Sequence, residues 1–94
     1  MSGWVYIITN KRNGTLYIGV TANLAARISQ HRAGTGSVFA RRYRLKMLVY
    51  AEPHNTIEEA IRREKAIKDW PRARKIRLIE AANPEWTDLY DSLI

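Results

Sequence analysis

LYIGVT, residues 16–21, follows a companion segment, WVYIIT, residues 4–9, with NKRNG and Thr15 between them. Both segments are rich in aromatic and β-branched residues. They read as strands over 4–9 and 15–21, joined by a turn that contains Asn13-Gly14. Side chains alternate along a strand, so Trp4, Tyr6 and Ile8 share one face, as do Tyr17, Gly19 and Thr21. A four-residue loop, Lys11–Gly14, places Tyr6 opposite Gly19 and Tyr17 opposite Ile8, with both tyrosines on one face. An odd loop would split them. Glycine weakens a strand unless backbone or ligand must come close, so Gly19 is expected to leave room for a phosphate beside Tyr6. Taken alone, the two rings also suit an ordinary amphipathic strand.

Working outward, residues 22–33 (ANLAARISQHRA) read as a helix, capped by Thr21 or Asn23 and ended at Gly34. Arg27 and His31 stand four apart on one face of it. A planar guanidinium suits phosphate, and imidazole can move a proton near neutral pH. A solvated basic pair is the plainer explanation. After the GTGS loop, FARRYR reads as one or two helical turns. KMLVYAE (46–52) reads as a third strand ended by Pro53.

The next helix is the clearest element and runs from Thr56 to about Trp70. Thr56 and Glu59 form a capping box, and Glu58 and Glu59 suit the positive end of the helix dipole. Glu64 has no such explanation. It falls within the apolar stripe Ile57, Ala60, Ile61, Ile67, where a carboxylate is costly unless it is paired or binds a metal. A further helix, ARKIRLIEAA, stops before Asn83-Pro84, and a short amphipathic tail, EWTDLYDSLI, follows. The order β-β-α-β-α-α predicts an α+β domain over residues 1–94: a small three-stranded, mainly antiparallel sheet flanked by helices.

Composition narrows the function. Sixteen Lys+Arg against nine Asp+Glu give a net charge of +7 on 94 residues, a field that attracts polyanions, nucleic acid foremost. Arg41, Arg42, Arg44 and Lys46 lie near Phe39 and Tyr43. Lys65, Lys68, Arg72, Arg74, Lys75 and Arg77 surround Trp70. Either cluster can face nucleic acid or solvent. The chain has no cysteine, which removes disulfides and thiolate metal sites and fits a cytoplasmic protein. No apolar run approaches a membrane span and no signal peptide is evident, so no membrane partner is expected.

Together these residues resemble the GIY-YIG nuclease family, and most closely its small stand-alone bacterial proteins. Tyr17-Ile18-Gly19 matches the second motif intact. Trp4-Val5-Tyr6 matches the first at its tyrosine. Arg27, His31 and Glu64, the last inside REKAIKDW, match the family's arginine, its helix partner and its single metal-binding glutamate. Asn83 matches the late polar position.

The resemblance implies an endonuclease that hydrolyses DNA phosphodiester bonds with one Mg²⁺ (Mn²⁺ as a substitute) held by Glu64, in DNA repair or recombination. It has Tyr6 or Tyr17 orient or deprotonate the attacking water, with Tyr6 favoured as general base and Tyr17 as positioner of water or phosphate, Arg27 as stabiliser of transition-state charge and His31 as proton relay. Substrate contacts are expected from Gly19, Arg41, Arg42, Lys68 and Asn83. The alternatives are a nucleic-acid-binding module with this fold but little catalysis, and a structural adaptor. A monomer or weak homodimer is expected.

Overall fold

The computed structural model describes residues 2–93; Met1 and Ile94, the ends of the expected 1–94 domain, lie outside the described residues. Its elements are β1 (Gly3–Thr9), β2 (Leu16–Thr21), α1 (Leu24–Ala33), α2 (Val38–Arg42), β3 (Met47–His54), α3 (Ile57–Lys68), α4 (Arg72–Ala82) and α5 (Tyr90–Leu93). The order is the predicted one, with the expected helical turns of FARRYR formed as the short α2 and with a further short helix, α5, in the tail. The strands form one antiparallel sheet in the order β2-β1-β3.

The hairpin register is the one the even loop dictates. Tyr6 faces Gly19 and Ile8 faces Tyr17. Asn13 takes φ 57°, a left-handed conformation that asparagine tolerates. Gly14 N donates to Lys11 O at 2.9 Å and closes the turn. Arg72, at the start of α4, grips the turn by donating to the carbonyl of Asn13 at 2.8 Å and to that of Gly14 at 2.6 Å.

β1 is central, and Val5, Tyr6, Ile7 and Ile8 are fully buried. Alternation sends Val5 and Ile7 to a core with Ile18, Val49, Ala60, Ile67, Ile79 and Trp86, under α3 and α4. Tyr6 and Ile8 enter a second core with Leu24, Ile28, Ala40, Leu45 and Leu48, under α1 and α2. Removing one such side chain costs about 2–5 kcal/mol, so β1 is a rigid mount for Tyr6.

Helix ends follow local chemistry. Asn23, rather than Thr21, caps α1 by accepting from Ala26 N at 3.1 Å. Gly34 ends α1 at φ 81°, where glycine is at ease. Thr56 caps α3 through Glu59 N at 3.2 Å. One boundary differs from expectation. β3 continues through Pro53, which pairs with Trp4, and ends at His54. β3 is an edge strand, so a residue without N–H is tolerated there.

β3 and α3 are also joined by a polar cluster. The Glu52 carboxylate accepts from Tyr50 Oη at 2.6 Å and from Arg63 Nε at 3.0 Å, and it meets His54 Nε2 at 2.6 Å. Burial by itself would raise the Glu52 carboxyl, but the Tyr50, Arg63 and His54 hydrogen bonds outweigh it and hold the group below its usual range. The charged form is thus favoured in the folded state. Its stabilisation is complete above the ordinary carboxylate pKa and is lost as pH falls through the lowered one. Thermal denaturation is expected to show Tm falling below about pH 4.5 in the wild type, with that low-pH limb much reduced in Glu52→Gln.

Candidate active site

Tyr6 projects from the centre of the sheet toward α1. Its hydroxyl lies 2.8 Å from His31 Nε2, and Arg27 Nε donates to it at 3.3 Å. The i, i+4 spacing on α1 brings Arg27 and His31 to the same phenol. Tyr17 completes the cluster, with ring centroids 6.3 Å from Tyr6 and 5.3 Å from His31. Arg27 is hydrogen-bonded by Tyr6 first and also feels Tyr17, and its already high pKa rises further. A permanent cation thus sits between the two phenols, and its terminal nitrogen also donates to Gln30 Oε1 at 3.2 Å.

Burial sets the protonation states. It pushes the Tyr6 phenol up to about 12, opposed by the Arg27 hydrogen bond and assisted by the charges of Tyr17 and Glu64. It lowers His31 to about 4, and the Arg27 charge lowers it further. At neutral pH the pair is therefore a neutral phenol beside a neutral imidazole. Arg27 can only donate to Tyr6 Oη, which leaves the Tyr6 proton free to point at His31 Nε2. His31 is 1% exposed, and its Nδ1 has no hydrogen-bond partner among the described residues.

Glu64 enters from α3 and is 8% exposed. Its field reaches Tyr6. Its Oε2 meets Lys68 Nζ at 3.0 Å across one helical turn, and the Lys68 side chain is 52% exposed. This pairing offsets part of the cost of burying the carboxylate. A solvated ammonium can swing away and leave the carboxylate to a cation. No group of three His, Cys, Asp or Glu residues gathers at one point among the described residues. A lone carboxylate with open positions for water fits Mg²⁺, which is often held by one or two carboxylates.

The family-model comparison matches residues 2–77 to the GIY-YIG catalytic domain. The chain belongs to the GIY-YIG family. It is 43% identical over 77 residues to a UPF0213 protein of Staphylococcus haemolyticus, covering 82% of this chain and 93% of that one. A UPF0213 protein of Desulfotalea psychrophila is 38% identical over 88 residues, covering 93% and 80%. Among solved structures, the solution NMR structure of the UPF0213 protein BH0048 from Bacillus halodurans superimposes with a TM-score of 0.59 at 30% identity, covering 94% of this chain and 93% of that one. The family match carries a nuclease-type domain and nucleic-acid binding with it.

Within this GIY-YIG frame, two expectations change. Gly19 does not leave a gap for phosphate, because the Tyr6 ring lies across it: a Cβ there would run into Cζ and Oη of Tyr6. The glycine seats the phenol against the sheet. Gly19→Ala is expected to displace Tyr6 and cost about 1–3 kcal/mol, read as a lower Tm and a lost Tyr6–His31 contact by NMR. Asn83 is not available to substrate either. It is 6% exposed. Its Nδ2 donates to the carbonyls of Val49 at 3.0 Å and Thr87 at 2.8 Å, and its Oδ1 accepts from Thr87 N at 3.0 Å. It pins the α4 end to β3.

The structure brings Tyr6, Tyr17, Arg27 and His31 into contact and sets Glu64 within electrostatic reach of Tyr6, with Lys68 paired to Glu64. Arg41 and Arg42 stay exposed on α2, and Arg41 borders a cleft of about 300 Å³ along residues 34–38. Two members of the site had been invisible in sequence. Gln30 orients Arg27. Gly36 packs on His31, where a Cβ would stand 2.7 Å from Nδ1. In the sequence Gly36 looks like one residue of a flexible GTGS loop.

Proposed function

We infer that this chain is a divalent-metal-dependent endonuclease that hydrolyses DNA phosphodiester bonds. The observation that supports this most is the Tyr6 hydroxyl held between Arg27 Nε and His31 Nε2. A phenol at about 12 is a poor base alone. Here its oxygen can take a proton from water while its own proton passes to His31 Nε2, so no free phenolate forms. His31 Nε2 carries no proton at neutral pH and so is open to accept one; burial and Arg27 make it a weak acceptor in the free protein, and the negative charge of a bound phosphate would raise its basicity. The water oxygen attacks phosphorus as the bond to the departing sugar oxygen breaks, and Arg27 stabilises charge as it grows on the phosphoryl oxygens. The departing oxygen takes a proton from solvent, and the proton on His31 returns through Tyr6 to solvent once the product leaves. Tyr17 positions the water or the phosphate. Glu64 would hold the cation, with Lys68 displaced. When bound, the cation would polarise the phosphate and steady the leaving oxygen.

The test is cleavage of labelled single-stranded, duplex and branched DNA in Mg²⁺, Mn²⁺ or EDTA. Cleavage that requires the metal supports the proposal. Binding of every substrate with no cleavage in either metal would favour a binding module that keeps only the fold.

A further inference from the structure

The aromatic cluster does not end at Tyr17. Phe39 on α2 lies 6.3 Å from Tyr17, and Tyr43 lies 4.8 Å from Phe39, centroid to centroid. With Tyr6 behind Tyr17, four rings form a row from the buried phenol to the surface. Phe39 is 44% and Tyr43 43% exposed, although both are large and ring-bearing. α2 does not need them for its core contact, which Ala40 makes inside and Leu45 makes just beyond. Arginines flank the exposed rings: Arg41, Arg42 and Arg44 are all exposed, and the Arg42 guanidinium lies 5.7 Å from the Tyr43 ring.

We propose that α2 is a stacking platform for unpaired bases of single-stranded DNA next to the phosphate at Tyr6 and Arg27. The place of that phosphate rests on the nuclease reading above. Bases stack on aromatic faces while arginines take the backbone, a pairing of groups that single strands use and that needs no base sequence. Duplex DNA keeps its base faces stacked inside. A five-residue helix is also too short to lie along a major groove and read base edges. A second copy of this chain fits poorly. A two-fold interface would bring the same arginines against one another.

The test separates binding from chemistry by working in EDTA. Fluorescence anisotropy compares a labelled oligonucleotide of about 12 nucleotides with its duplex. The wild type is expected to prefer the single strand. Phe39→Leu, which keeps an apolar side chain but no ring, is expected to weaken single-strand binding about tenfold and duplex binding little. Phe39→Trp is expected to tighten it. Arg42→Gln is expected to weaken both. Equal loss on both substrates in Phe39→Leu, or no loss on either, would overturn the platform. So would an RNA of the same sequence binding more tightly than the DNA, or a wild-type dimer in light scattering that Phe39→Leu dissolves. A protein that cleaves nothing but keeps the Phe39-dependent preference supports the platform while ending the nuclease reading. Metal-dependent cleavage with no effect of Phe39→Leu on binding does the reverse.

Discussion

Glu64→Gln is expected to lower the single-turnover rate of Mg²⁺-supported DNA cleavage by about 10²–10³ or more, the scale of losing one preorganised stabiliser of developing charge. The same substitution is expected to leave Tm almost unchanged. Glutamine has the shape of glutamate, so no cavity opens. The contact it gives up is an i, i+4 pair to a half-exposed lysine, and such helix pairs are worth only about 0.3–0.5 kcal/mol. Removing the charge also relieves the cost of desolvating a carboxylate on a core-facing stripe. Loss of rate without loss of stability is the signature of a carboxylate kept for a cation. A marked drop in Tm with the rate intact would make Glu64 a structural residue.

Tyr6→Phe is the second large effect. The ring remains and still fills the space over Gly19, while the oxygen between Arg27 and His31 is gone. General acid–base groups contribute about 10²–10⁴ in rate, and a loss of that order in single-turnover cleavage is expected. Stability falls as well, by about 1–3 kcal/mol, because a buried imidazole nitrogen loses its partner. Unchanged cleavage in Tyr6→Phe would remove Tyr6 from the proton path. The pH profile adds a separate check. His31 is depressed to about 4, so the wild-type rate should show no decline through pH 6–7, where an ordinary imidazole titrates. Acid should act first on stability. Between about 6.5 and 4 the unfolded chain binds a proton at His31 that the folded chain does not, so stability falls as pH falls across that window.

The parts of this site that follow local rules were legible in the sequence. Two-residue alternation and an even loop place Tyr6 opposite Gly19, as the strands show. Four-residue spacing puts Arg27 and His31 on one face, and both reach the same hydroxyl. Glu64 stood out because a charge on an apolar stripe breaks the helix pattern. What was hidden depends on side-chain rotamers and on which elements meet. The pairing of Tyr6 with Gly19 was legible, but that the ring folds across the glycine instead of leaving the space open depends on the side-chain rotamer. Asn83 carries the right residue type for substrate, but α4 delivers its amide to the Val49 carbonyl 34 residues away in sequence. The Glu52 cluster needs β3 beside α3, and no spacing rule joins Glu52 to Arg63. Pro53 stops a strand only if its missing N–H faces a partner, which depends on whether the strand is an edge.

The most direct measurement is a crystal structure of the protein in Mn²⁺, with anomalous scattering used to place the cation. The expected result is a single peak at ligand distance from the Glu64 carboxylate, facing Tyr6, Tyr17 and Arg27, with Lys68 Nζ moved away. A Glu64 still paired with Lys68, at a Mn²⁺ concentration that supports cleavage and with the cation bound elsewhere or not at all, would contradict it.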